Sequence, residues 1–145
     1  MDVVKSILIA KFEEIQRRIV LVLDQLSDEQ VNWRPNESSN RVSKGINNKD
    51  YTRNRDEEFE ELYRTKQELI QITNVSLREL IETTKSMIEE TFMKTQLVRD
   101  RERTNLDVLI QCATHFSEHM GQVFYIGKMI KDREYVTTSV PKKRI

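Results

Sequence analysis

The only two histidines of this 145-residue chain, His115 and His119, stand four positions apart. On a helix that spacing projects both imidazoles from one face about 6 Å apart, within reach of a single metal ion. The same face carries Val108, Cys112 and Ile126. The pair therefore points toward apolar neighbours, beside or within a core, where low polarity strengthens ion binding. Zinc and nickel both accept imidazole ligands. An open catalytic zinc has three protein ligands, and this pair supplies two. Cys112, three positions before His115, is a candidate third, although a lone helical cysteine on an apolar face is more often a small core residue. Glu118 falls between the histidines and projects elsewhere on the helix. The plain alternative is a pair of half-buried histidines that bond to neighbours and hold nothing. The residues assign no catalytic group.

Other chemistries lack their motifs. The chain has no phosphate-cradling glycine loop, no CxxC, no nucleophile elbow and no HExxH, since Phe116 and Ser117 follow His115. Adjacent carboxylates such as Glu13 and Glu14, or Glu89 and Glu90, diverge by about 100° on a helix and form no acid/base couple.

The elements that must position the pair are long helices. Three Gly and two Pro are too few turn formers for a sandwich, barrel or Rossmann fold. Residues 2–26 carry Leu8, Phe12, Ile15, Ile19, Val22 and Leu26 at alternating steps of four and three, which predicts an amphipathic helix with one buried seam. A second helical stripe starts near Asp56 and runs from Phe59 to Ile88, with a break or kink expected at Thr65, where Thr65 and Glu68 have capping-box spacing. A third, 104–131, opens with Thr104 and Asp107 and contains the histidines. At 1.5 Å per residue it reaches about 42 Å, similar to the others, as a bundle requires. Residues 95–103 read as a solvated charged connection because their signs alternate. We divide the chain into one helical-bundle domain, 1–131, and an extended polar tail, 132–145, expected to fray.

Twenty-four basic residues balance twenty-four acidic ones, so no net field draws the chain to nucleic acid or anionic lipid. No apolar run approaches the roughly 18 residues that span a bilayer, and the mean hydropathy is −0.64. The single cysteine fits a reducing setting, so a soluble cytoplasmic protein is expected. Residues 27–55 are anomalous, because Val31, Trp33, Val42, Ile46 and Tyr51 cannot supply a fourth continuous seam. Three broad-faced helices cover one another only partly, and homodimerisation is the simplest remedy.

The run from Asp107 to Ile126, in which His115, His119, Gly121 and Gln122 fill the pattern HxxxHxGQ, resembles the last helix of the DinB/YfiT-like superfamily. Asn32-Trp33-Arg34-Pro35-Asn36, Asn54-Arg55-Asp56-Glu57-Glu58-Phe59 and the stretch from Tyr135 to Pro141 resemble a bacterial branch of that superfamily known as a domain of unknown function. The resemblance implies an all-α, up-down-down-up four-helix bundle, often homodimeric. It also implies a divalent metal on three histidines, one of them from the second helix. Characterised relatives are thiol transferases, including users of bacillithiol, or metal-dependent isomerases. The second helix and its histidine belong between Asn40 and Arg41, which here are adjacent. Two readings stay open: the segment is deleted in this protein, or the sequence lacks residues that the natural protein carries.

Two functions follow as expectations. One is a protein holding Ni or Zn at His115 and His119 and acting as a metal-dependent thiol transferase or hydrolase, with a small thiol as substrate. The other is a non-catalytic dimeric helical bundle that serves as a protein interaction module. Nucleic-acid binding ranks a distant third.

Overall fold

The computed structural model describes residues 2–33 and 63–138. Three long helices carry the fold: α1 (Asp2–Gln25), α3 (Lys66–Ser86) and α5 (Asn105–Lys131). Short α2 (Asp28–Val31) follows α1, and short α4 (Glu89–Met93) follows α3. A hairpin of β1 (Thr95–Val98) and β2 (Arg101–Thr104) leads into α5. The expectation of a helical fold holds, with long helices packed together and one small hairpin added.

The four-three spacing of α1 does what periodicity requires, burying Leu8, Phe12, Ile15, Ile19 and Val22 along one seam. Its end is set by Ser27, whose hydroxyl accepts from Gln30 N at 3.1 Å while Gln30 Oε1 accepts from Ser27 N at 2.9 Å. This reciprocal pair starts α2 on a new axis. At the head of α3, Thr65 is extended (φ −77°, ψ 158°) and its hydroxyl accepts from Glu68 N at 3.2 Å. Asp28 Oδ1 accepts from Lys66 N at 2.7 Å. Two otherwise unpaired first-turn donors are thereby satisfied beside a negative charge, which favours a helix start at this point. The break read at Thr65 is therefore a true beginning; Asp56 and the junction of Asn40 with Arg41 lie outside the described residues.

Asn32 joins the two flanks of residues 34–62. Its Nδ2 donates to Arg64 O at 2.7 Å, and its Oδ1 accepts from Arg64 N at 3.2 Å. The side chain pairs with backbone as a neighbouring strand would.

The stripe expected to continue from Thr65 to Ile88 stops at Ser86. Met87 and Ile88 are extended, and the new direction sets Phe92 of α4 fully inside the core. Burying an aromatic side chain is worth more than two residues of helix propensity, so tertiary packing overrides the local pattern.

Gln16 bonds Asn74 at 2.9 Å, and Lys5 Nζ donates to Lys85 O at 2.7 Å, so α1 and α3 run antiparallel. Arg18 lies over the Phe124 ring at 4.6 Å, and a Cβ on Gly127 would sit 3.1 Å from Val22, so α1 and α5 run parallel. Both α3 and α5 make their extensive contacts with α1, which is the centre of the assembly. Among the described residues the three long helices therefore run up, down, up.

Residues 95–103, read as a solvated connection, are exposed for the most part and also paired, with Leu97 opposite Glu102 and Val98 opposite Arg101. The turn uses Arg99 at φ 51° and Asp100 at φ 64°. Such turns are commonly written Asn-Gly, which is why the sequence conceals this one. The expected fraying after Asp132 also differs from what is found up to Thr138. Val136 exchanges bonds with Gln25, accepting from Nε2 at 3.0 Å and donating to Oε1 at 2.7 Å. Arg18 Nε donates to Thr138 Oγ1 at 3.2 Å. Tyr135 packs over Gly127, where the missing Cβ leaves room for its ring.

Candidate metal centre

α5 begins at Thr104, whose hydroxyl accepts from Asp107 N at 3.0 Å. Arg103 Nε donates to Asp107 at 2.7 Å, and this bond holds the exposed Asp107 carboxyl below its ordinary range. From this capped start the helix runs unbroken through both histidines. Their turn spacing brings the two Nε2 atoms to 3.0 Å, with ring centroids 4.5 Å apart and planes at 86°.

Two nitrogens each 2.0–2.1 Å from one ion at the tetrahedral angle lie about 3.3 Å apart. The observed pair is close to that separation, so its atoms fit two positions of a coordination sphere. In the absence of an ion the same geometry is one imidazole donating to the other, with the donor set by the tautomer. Both rings are half-buried. Burial pushes the His119 imidazole below its usual pKa, the neighbouring His115 adds to this, and Gln122 and Glu118 oppose it. A neutral imidazole is the form that binds metal.

His119 Nδ1 is buried and has no partner in hydrogen-bonding geometry. Metal-ligating histidines usually donate their second ring N–H to an acceptor. Gln122, one turn beyond, is the polar side chain placed to serve.

The face read from the sequence is the face observed: Ile126 is buried, and Val108 and Cys112 are half-buried. Cys112 packs on the fringe of the core and Glu118 is exposed. Among the described residues no group of three or more His, Cys, Asp and Glu converges on a metal position, so neither Cys112 nor Glu118 completes the pair. Among the described residues no helix is long and apolar enough to cross a membrane.

Sequence reasoning expects three broad-faced helices to cover one another only partly and leaves open where; among the described residues the middle of α5 is such a place. From 110 to 122 no residue is buried, although Cys112, Ala113, Phe116 and Met120 pack on the core edge. Periodicity marks an apolar face, but it does not say whether that face is covered.

No curated protein and no solved structure matches the chain. A family described as "Protein of unknown function (DUF1572)" matches residues 44–144, well over half of the sequence. That span contains all of α3, the hairpin, α5 and both histidines. The chain belongs to the DUF1572 family.

Proposed function

We propose that this DUF1572 protein is a metal-binding helical bundle of the DinB/YfiT superfamily, acting in the cytoplasm as a metal-dependent thiol transferase or hydrolase. His115 and His119 hold a divalent ion, Zn or Ni, through Nε2. The observation that carries this reading is the approach of those two nitrogens to 3.0 Å on a half-buried face. A bound divalent ion lowers the pKa of a thiol or water and so supplies a nucleophile at neutral pH. The chain's own share is positional. The capped helix fixes both imidazoles in one orientation, and partial burial favours the neutral form of His119, the form that coordinates.

The test is metal analysis of protein purified without a histidine tag, before and after reconstitution with Zn²⁺ or Ni²⁺. The expected result is a stoichiometric ion that is lost from His115→Ala and from His119→Ala. Absence of metal from every sample overturns the reading.

A second reading, a non-catalytic dimeric bundle serving protein interaction, is favoured by the exposed Ile110 and Tyr125 on α5. It gains if His119→Ala keeps its fold and its self-association while binding no ion.

A further inference from the structure

Residues 135–138 lie across the groove between the C-terminal ends of α1 and α5, and little holds them there. Both backbone bonds of Val136 go to one side chain, Gln25, and the valine itself is 58% exposed. Thr138 accepts from Arg18, which also pairs with Glu14 at 3.6 Å and covers the Phe124 ring. Tyr135 fills the hollow at Gly127, where a Cβ would stand 3.2 Å from its ring, and Lys128 Nζ lies 5.9 Å from the centre of that ring. The chain reaches the groove by a strained turn. Asp132, which closes α5, has φ 50° and ψ −116°. This is the backbone of the first central position of a type II′ turn, where glycine dominates. A residue with a Cβ is strained there, and the strain persists only while the docked strap holds it.

A segment with few buried contacts, exposed hydrogen bonds and a strained entry opens without global unfolding. We infer that residues 135–138 are a latch that releases about Asp132, and that the groove it vacates is a binding site for an extended peptide. As resident occupant, the strap defines the chemistry of that ligand. It offers an aromatic side chain to the Gly127 hollow, the backbone of the next residue to the Gln25 carboxamide, and a hydroxyl two residues further on to Arg18. Gln25 presents one donor and one acceptor to main chain, as a sheet edge does, so at that position recognition needs no particular side chain.

Two measurements on the full chain test this. In the unaltered protein the Val136 amide should exchange at least a hundredfold faster than that of buried Val22, and Asp132→Gly, which removes the strain of the docked form, should slow it several-fold. The synthetic peptide Glu-Tyr-Val-Thr-Thr, a copy of residues 134–138, should bind Tyr135→Ala at least tenfold more tightly than the wild type, whose groove is filled. Amide shifts at Val22 and Gly127 locate the bound peptide, and circular dichroism verifies that Tyr135→Ala keeps its helices. Adding Gln25→Ala to that variant should weaken the peptide at least threefold. Exchange at Val136 no faster than at Val22 makes the strap part of the cooperative fold and overturns the latch. Peptide binding that is equal in the wild type and Tyr135→Ala, or absent from both, overturns the groove.

Discussion

The seam of α1 and the middle of α5 are both helical, apolar on one side and placed in the same small assembly, yet they are finished differently. Phe12, Val22 and Leu23 of α1, with Leu69 and Leu77 of α3, are at 0% exposure. Along α5 the buried residues Leu109, Val123, Ile126 and Gly127 sit toward the two ends, with the histidines in the stretch between them. Among the described residues α1 is covered on two sides because α3 and α5 both pack on it, whereas α5 has α1 as its principal long partner. Coverage follows from neighbours, and the chemistry-bearing residues lie where it is thin. Stability should therefore reside in the α1 seam and ligand response in the middle of α5.

The largest expected effect tests the first half of that statement. Phe12→Ala removes a fully buried ring at the centre of the assembly and should cost about 3–5 kcal/mol, read as a lower urea midpoint. A shift under 1 kcal/mol would break the contrast. Gly127→Val comes next, because a Cβ there already meets Val22 at 3.1 Å and Tyr135 at 3.2 Å. Overpacking at that site should cost about 1–3 kcal/mol and release the 135–138 strap, seen as faster amide exchange at Val136. Thr65→Ala removes the cap of α3 and should cost about 1 kcal/mol in the same urea assay.

The smallest effect belongs to the histidine flank. With the His119 pKa lowered in the folded protein, the unfolded chain takes up its proton first as pH falls. Stability of the metal-free protein should therefore decline as pH drops below the ordinary histidine value near 6.5, and level off once the folded pKa is passed. Urea midpoints at pH 7.5 and 5.5 should show this component in the wild type and its loss in His119→Ala. An unchanged pH profile in that variant would place the histidine outside the protein's proton linkage.

The parts of the fold that the sequence disclosed are those governed by local rules. Leu8, Phe12, Ile15, Ile19 and Val22 recur with the helical period, and they are buried as a set. Thr65 and Thr104 are hydroxyls at helix starts and both accept the expected backbone bond. The histidine pair was legible for the same reason, since a four-residue step is a geometric statement. What stayed hidden depends on distant partners. Met87 carries no breaker residue, and the helix ends there because Phe92 has a place in the core. Arg99 and Asp100 adopt positive φ without glycine or asparagine to announce a turn. Val136 is pinned by Gln25, which lies far away in sequence and carries no periodic mark. Whether the α5 face is covered also depends on what packs against it.

Asn32 and Arg64 have one more consequence. Because their pairing makes residues 32 positions apart spatial neighbours, the end of α2 and the approach to α3 are fastened by one amide side chain. With the Asp28–Lys66 bond beside it, this joint lets α1 and α3 keep their mutual footing through side chains.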